Sequence, residues 1–314
     1  MNVSPDIKQV AVVGTGLIGS SWAALFLARG LGVSATDPAP HAERELRAYI
    51  ERVWPVLQEI GLSPGASPDR LAFSANLPAA VAGADFVQEN GPEREDYKVR
   101  MFADLDAALP PEVILASSTS GLTMSTIQAR CRHPERCVIG HPFNPPHLIP
   151  LVELVGGAAT SAAALERAGQ FYASLGKKTI RLHKEVPGHV ANRLQAALWR
   201  EAVHLVNEGV VSVADVDAAV SWGPGLRWGA MGPNLIFHLG GGKGGIEHFM
   251  HHLSGPFATW WQDLGEPELT PELKAKIVAG VHAEAAGRSV AELAAERDKV
   301  ILGLLALRRP PSPG

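Results

Sequence analysis

The 314-residue chain has little cysteine: Cys131 and Cys137 are its two thiols. A fold of this size cannot rest on so few, so no disulfide framework is expected, and a reducing, cytoplasmic setting suits the chain. Long apolar runs are also missing; each is interrupted well before the ~18 residues that a membrane helix needs. The opening residues, Met1 to Asp6, lack a basic stretch followed by an apolar core, so no signal peptide is expected. A strong charge of one sign is absent as well. The formal net charge is −4, which gives no electrostatic footing for nucleic acid or a lipid surface as partner. There is no internal repeat, and the one compositional cluster is the glycine run at Gly240 to Gly245. Lysine is absent between Lys8 and Lys98, a gap that bears on the substrate.

What is present is ordinary for a globular protein with a sizeable core: 46% hydrophobic and 19% charged residues. The length suggests two domains. The N-terminal stretch is the most informative. Val10 to Val13 predicts a buried strand, and Ser20 to Arg29 a helix that Gly30 stops. Between them stands Gly14-Thr15-Gly16-Leu17-Ile18-Gly19, and a second apolar strand, Gly32 to Thr36, ends at Asp37. Strand, glycine turn, helix, strand and acid make a dinucleotide-binding βαβ unit. Gly14 permits the tight turn, Gly16 lets backbone approach a pyrophosphate, and Gly19 lets helix and strand close up. The pyrophosphate is expected on free N–H groups at the helix start, so Gly14, Gly16, Leu17, Ile18 and Gly19 are candidate cofactor contacts. Asp37 accepts hydrogen bonds from a ribose 2′-OH and repels a 2′-phosphate. No Arg or Lys follows it, so the expected cofactor is NAD rather than NADP.

Further along, Leu46, Ile50, Val53, Leu57 and Ile60 mark one helix face, ended by Ser63-Pro64-Gly65. Strands are expected at Leu71 to Ser74, Asp85 to Gln88, Val113 to Ser117, Leu151 to Val155 and Thr179 to Leu182. Helices are expected at Glu93 to Leu109 and Ala162 to Leu175, and a stiff proline-rich loop at Gly140 to Pro150. Alternating elements of this kind form an α/β, Rossmann-type, doubly wound and mostly parallel sheet. After Val186-Pro187-Gly188 only helices are expected: Val190 to Glu208, Val213 to Ser221, Asn234 to Leu253, Glu272 to Gly287 and Val290 to Leu307, with a frayed tail from Arg308. The expected division is therefore an NAD-binding domain over 1–186 and an all-helical C-terminal domain over 187–314.

Four motifs occur in order: Gly14 to Gly19; Ala116-Ser117-Ser118-Thr119-Ser120-Gly121-Leu122; Gly140-His141-Pro142-Phe143-Asn144-Pro145 with Leu151-Val152-Glu153; and Pro187-Gly188-His189-Val190-Ala191-Asn192-Arg193. Together they resemble the 3-hydroxyacyl-CoA dehydrogenase family over nearly the whole chain. The resemblance extends to the family's small-substrate branch of carnitine and L-gulonate dehydrogenases, the latter including lambda-crystallin. It implies that His141 is the catalytic base, that Glu153 is its partner, and that Ser120 and Asn192 hydrogen-bond the reacting oxygen. It further implies cofactor contacts at Glu93, Lys98, Ser118 and Asn144. The chemistry is sound on its own terms. Imidazole titrates near neutrality and can take a hydroxyl proton, while a carboxylate on its other nitrogen fixes the tautomer.

Acyl-CoA-binding members use lysines on the helical segment after the second strand; here that segment has none, and its arginines alternate with glutamates. The second domain instead carries Gly223-Pro224-Gly225-Leu226-Arg227-Trp228-Gly229, similar to the carnitine branch. Arg227 suits a carboxylate. Trp222, Trp228, Trp260 and Trp261 are either an aromatic wall for a trimethylammonium group or residues of a core or dimer contact. His238, His248, His251 and His252 have zinc-like spacing, but nothing completes a site and none is expected. The glycine cluster lacks the Ser or Thr of a phosphate loop. The expected activity is NAD-dependent oxidation of the 3-hydroxyl of a small 3-hydroxy acid, carnitine-like or a sugar acid, by a homodimer formed through the helical domain. The competing expectations are a CoA thioester substrate and a non-catalytic, crystallin-like role.

Overall fold

The computed structural model describes residues 6–308. Its sheet has eight strands: β1 (Gln9–Val13), β2 (Gly32–Thr36), β3 (Leu71–Phe73), β4 (Phe86–Glu89), β5 (Ile114–Ser117), β6 (Cys137–Pro142), β7 (Leu151–Gly156) and β8 (Lys178–Arg181). Their spatial order is β3-β2-β1-β4-β5-β6-β7-β8. All neighbours run parallel except β6 and β7. The helices of this part are α1 (Leu17–Ala28), α2 (Ala42–Ile60), α3 (Leu77–Val81), α4 (Glu95–Ala108), α5 (Met124–Ile127) and α6 (Ala162–Ser174). The doubly wound, mostly parallel sheet expected from the alternating pattern is present.

Alternation along the strands explains why the sheet is covered on both sides. Val10 and Val12 of β1 join one core with Trp22 and Phe26 of α1, Leu46 and Ile50 of α2, and Phe171 and Tyr172 of α6. Ala11 and Val13 join the other, with Phe102 and Leu105 of α4 and Met124 and Ile127 of α5. Strands buried on both faces read as unbroken apolar runs, as these do.

The remaining helices are α7 (Ala191–Asn207), α8 (Val213–Trp222), α9 (Pro224–Ala230), α10 (Pro233–Gly240), α11 (Gly245–His248), α12 (Gly255–Asp263), α13 (Pro271–Ala285) and α14 (Val290–Arg308). The chain divides into two compact units, Met1–Arg193 and Leu194–Gly314. Within the second, α8 starts with a Ser212–Asp215 capping box, and α8 packs against α13 where Gly280 leaves room for Val213. Phe237, Phe249, Phe257 and Trp260 form an aromatic cluster with centroid spacings of 4.6, 5.1 and 4.9 Å along the chain of contacts.

Three local expectations need correction. α1 starts at Leu17, ahead of the expected Ser20, because Gly16 caps it directly. β6 runs on through His141 and Pro142, so the stiff loop begins only at Phe143. The single helix expected over Asn234 to Leu253 is broken. Gly242 and Gly245 take left-handed φ values of 59° and 58°, which no right-handed helix continues through. A five-residue π-helical stretch, Phe249–Leu253, follows α11. Of the tail expected to fray, Arg308 ends α14 and the rest lies outside the described residues.

Candidate active site

The strand order reverses direction around β1 and β4, and in such sheets the ligand crevice lies at the carboxyl ends of those strands. The glycine turn sits there. Gly14 has φ 86°, and a side chain on it would meet the Asn90 carbonyl carbon at 2.8 Å. A Cβ on Gly19 would come within 1.9 Å of the Gly14 carbonyl oxygen, whereas one on Gly16 would meet nothing within 4 Å. The turn is therefore packed tightly on the protein side and left open at Gly16, the fit a pyrophosphate requires. No side chain caps α1, so its first N–H groups, near the exposed Leu17 and half-buried Ile18, stay available. Asp37 supports the turn: Oδ2 accepts from the Thr15 N–H at 2.7 Å and Oδ1 from the Ala39 N–H at 2.8 Å. A cavity of about 680 Å³ opens beside Asp37, lined among others by Pro38, Phe73 and Ala75.

The loops after β4 and β5 are held by a buried ionic network. Lys98 reaches both oxygens of Glu89 at 2.9 Å, and Glu89 also accepts from the Ser117 hydroxyl and the Gly91 N–H. Glu93 accepts from the Thr119 hydroxyl at 2.6 Å and from the N–H groups of Ser120 and Gly121 at 3.0 and 2.9 Å. Burial works against its charge, but these donors and the Lys98 ammonium hold its carboxyl below the usual range. The Ser118 hydroxyl is fully committed. It accepts from Trp22 Nε1 and Gln88 Nε2 and donates to Asn90.

On β6 and β7, His141 Nδ1 lies 2.9 Å from Glu153 Oε2, and both side chains are buried. Glu153 Oε1 accepts from the Val190 and Ala191 N–H groups at 2.9 Å each. Burial opposes the Glu153 charge; the His141 bond and the two backbone donors outweigh it, so its pKa lies below the ordinary value. Asn192 follows on the first turn of α7, half-buried. Ser120 and Asn144 are exposed on the loops after β5 and β6. Arg227 and Trp228 belong to α9 in the second unit. The Trp222, Trp228, Trp260 and Trp261 side chains are all substantially exposed rather than core. Among the described residues no three His, Cys, Asp or Glu side chains are grouped to hold a metal ion. His248 and His252 stack on one another instead.

Two members of this site are not singled out by the sequence pattern. Glu89 reads as an acid closing an apolar strand. His189 stood in plain sight within the Pro-Gly-His motif; it is buried, with its ring centroid 5.1 Å from that of His141.

A glycine turn at the switch point of a doubly wound sheet, with a His–Glu pair on the same sheet, defines an NAD-dependent dehydrogenase acting on a CH–OH group. Residues 9–186 match the 3-hydroxyacyl-CoA dehydrogenase NAD binding domain, and residues 188–278 match the 3-hydroxyacyl-CoA dehydrogenase C-terminal domain. The chain belongs to the 3-hydroxyacyl-CoA dehydrogenase family. It is 51% identical to the L-carnitine dehydrogenase of Streptomyces griseus subsp. griseus, over 96% of this chain and 90% of that one. It is 47% identical to the L-carnitine dehydrogenase of Pseudomonas aeruginosa, over 97% and 95%. Among solved structures it resembles 5-formyl-3-hydroxy-2-methylpyridine 4-carboxylic acid 5-dehydrogenase, an NAD+ dependent dismutase. That likeness has a TM-score of 0.81 at 30% identity, covering 96% of this chain and 98% of that one.

Proposed function

We propose that the chain oxidises the 3-hydroxyl of L-carnitine, or of a close small 3-hydroxy acid, to the 3-keto form, with His141 as general base and Glu153 as its charged partner. The observation that carries the base assignment is the 2.9 Å contact between His141 Nδ1 and Glu153 Oε2. A neutral His141 that donates Nδ1–H to the carboxylate leaves Nε2 free to take the hydroxyl proton. The buried carboxylate then stabilises the imidazolium, and the N–H pair from Val190 and Ala191 keeps that carboxylate charged. Ser120 and Asn192 donate to the oxygen as it becomes alkoxide-like. NAD, held along Gly14, Gly16, Leu17, Ile18, Gly19 and Asp37, supplies the hydride acceptor. Glu93, Lys98, Ser118 and Asn144 shape its nicotinamide half, Ser118 through its fixed loop.

The substrate reading is supported by the carnitine dehydrogenases the chain resembles and by the lysine-free segment from Gln9 to Tyr97. In this reading, residues 1–186 bind NAD and 187–314 supply substrate contacts, with Arg227 on the carboxylate and Trp228 on the trimethylammonium. The chain pairs with a second copy through its helical part. Leu194, Leu198 and Trp199 of α7 and Leu304 and Leu307 of α14 are exposed apolar residues that an isolated chain leaves in water. It works in the cytoplasm; no helix among the described residues is long and apolar enough to cross a membrane. The test is NAD reduction followed with L-carnitine, L-gulonate, 3-hydroxybutyrate and 3-hydroxybutyryl-CoA. L-carnitine is expected to give the highest kcat/KM, and a strong preference for the CoA ester overturns the reading.

A further inference from the structure

His189 is an imidazole that the proposed reaction does not use, yet it lies between the loop that carries Ser120 and the His141 ring. It is 2% exposed, and its backbone takes a left-handed φ of 51°, which side-chain-bearing residues rarely adopt. Its Nε2 lies 3.0 Å from the Thr119 carbonyl oxygen. A carbonyl only accepts, so Nε2 carries the proton. Its Nδ1 is buried without a hydrogen-bond partner; a second proton there would bury a charged ring with an unpaired N–H, so the neutral ring is favoured. Gly188 and His189 are both left-handed, and the turn they make aims the next two N–H groups at one oxygen of Glu153.

We propose that His189 is a positioning residue for hydride transfer, holding the Ser120 loop and the His141–Glu153 pair in register as a neutral Nε2–H imidazole. The inference rests on the reading of His141 as the base. Through Thr119 the ring fixes the residue next to Ser120. Through its ring, whose centroid lies 5.1 Å from that of His141 in a tilted arrangement, it limits how that imidazole can turn. Through its own backbone it sets the clamp on Glu153. Neutrality has a chemical purpose as well. His141 becomes positive when it takes the hydroxyl proton, and a second cation beside it opposes that step. Burial, and then the His141 charge, push the His189 pKa down; the Thr119 carbonyl, Glu153 and Glu93 pull the other way and do not prevail.

Two substitutions separate positioning from simple packing. His189→Phe keeps a flat ring of similar size and loses the donor to Thr119. His189→Gln keeps a side-chain N–H at comparable reach. The expected result is a kcat for His189→Phe reduced on the order of 10- to 100-fold, the cost of a small misplacement of reacting groups, with the Kd for NAD unchanged. His189→Gln recovers most of the rate. A wild-type kcat in His189→Phe overturns the proposal, as does equal impairment of both variants. Nitrogen-15 NMR of the intact protein reads the ring directly, and remains decisive if His189→Phe fails to fold. One protonated Nε2 and one bare Nδ1 at neutral pH are expected; a doubly protonated ring overturns the proposal. His141→Asn is measured alongside. If it retains turnover, the base assignment itself fails; if it is inactive while His189→Phe is normal, only the present inference falls.

Discussion

His141 stands directly opposite Glu153 across the antiparallel pair β6–β7, with Nδ1 and Oε2 2.9 Å apart. Strand register alone thus brings the imidazole and the carboxylate together. His141→Asn should lower kcat by about 10² to 10⁴ and spare NAD binding, which isothermal titration with NAD alone can check. Glu153→Gln should cost less, since the imidazole remains. Near-normal turnover in His141→Asn would remove the base assignment.

The glycines of the turn should fail in different ways. Gly19→Ala drives a methyl into the Gly14 carbonyl oxygen, 1.9 Å away, so strand and helix must part. A loss of about 1–3 kcal/mol is expected in denaturant melts. Gly16→Ala meets nothing within 4 Å and should fold within about 0.5 kcal/mol of the parent. With the cofactor placed as proposed, its methyl enters the room of the pyrophosphate, so NAD affinity should fall with little change in stability.

Asp37 accepts from the Thr15 and Ala39 N–H groups and still has lone-pair capacity for a ribose hydroxyl. Steady-state rates should therefore favour NAD over NADP by orders of magnitude. Asp37→Ala should raise KM for NAD and shrink that preference. Equal use of both cofactors by the parent would sink this account of Asp37.

Lys98 and Glu89 form an ion pair with side-chain exposures of 1% and 0%. Lys98→Met strands a buried carboxylate and should cost about 3–5 kcal/mol. Adding Glu89→Gln should return part of that loss, because the uncompensated charge goes too. A double variant less stable than Lys98→Met alone would show that the charge is not the issue.

Lys177 is buried under the loop after β6. Its Nζ donates to the carbonyls of Pro146 and Ile149 and lies 5.0 Å from the centre of the Trp22 ring. Burial, and then the Arg29 charge, push its amine down to about 7. The unfolded chain keeps that proton up to about pH 10.4. Between these limits the unfolded state binds more protons, so this residue makes stability rise as pH increases from about 7 to about 10. In Lys177→Met that rise should disappear from urea titrations made across the interval; an unchanged slope would contradict the assignment.

The βαβ unit, the alternating sheet and the His141–Glu153 motif were legible because each leaves a local signature: a period, a glycine spacing, a short run of fixed order. Other features depend on contacts made far along the chain. Lys98, read from its helix alone, is a solvated charge, yet Glu89 and the Gly91 carbonyl take it fully inside. Ser118 is a cofactor contact by the family resemblance, yet Trp22, Gln88 and Asn90 already engage its hydroxyl. The break at Gly242 and Gly245 turns on the sign of φ, which glycine leaves open until the fold decides it.

The clamp on Glu153 is made of main chain, at Val190 and Ala191. Mutation can therefore reshape both side chains while every genetic variant but one kind still presents the same two donors. Proline alone deletes a donor. Diversification at these positions leaves the donors to the Glu153 carboxylate intact, and a library randomised at 190 and 191 should lose turnover chiefly at its proline members.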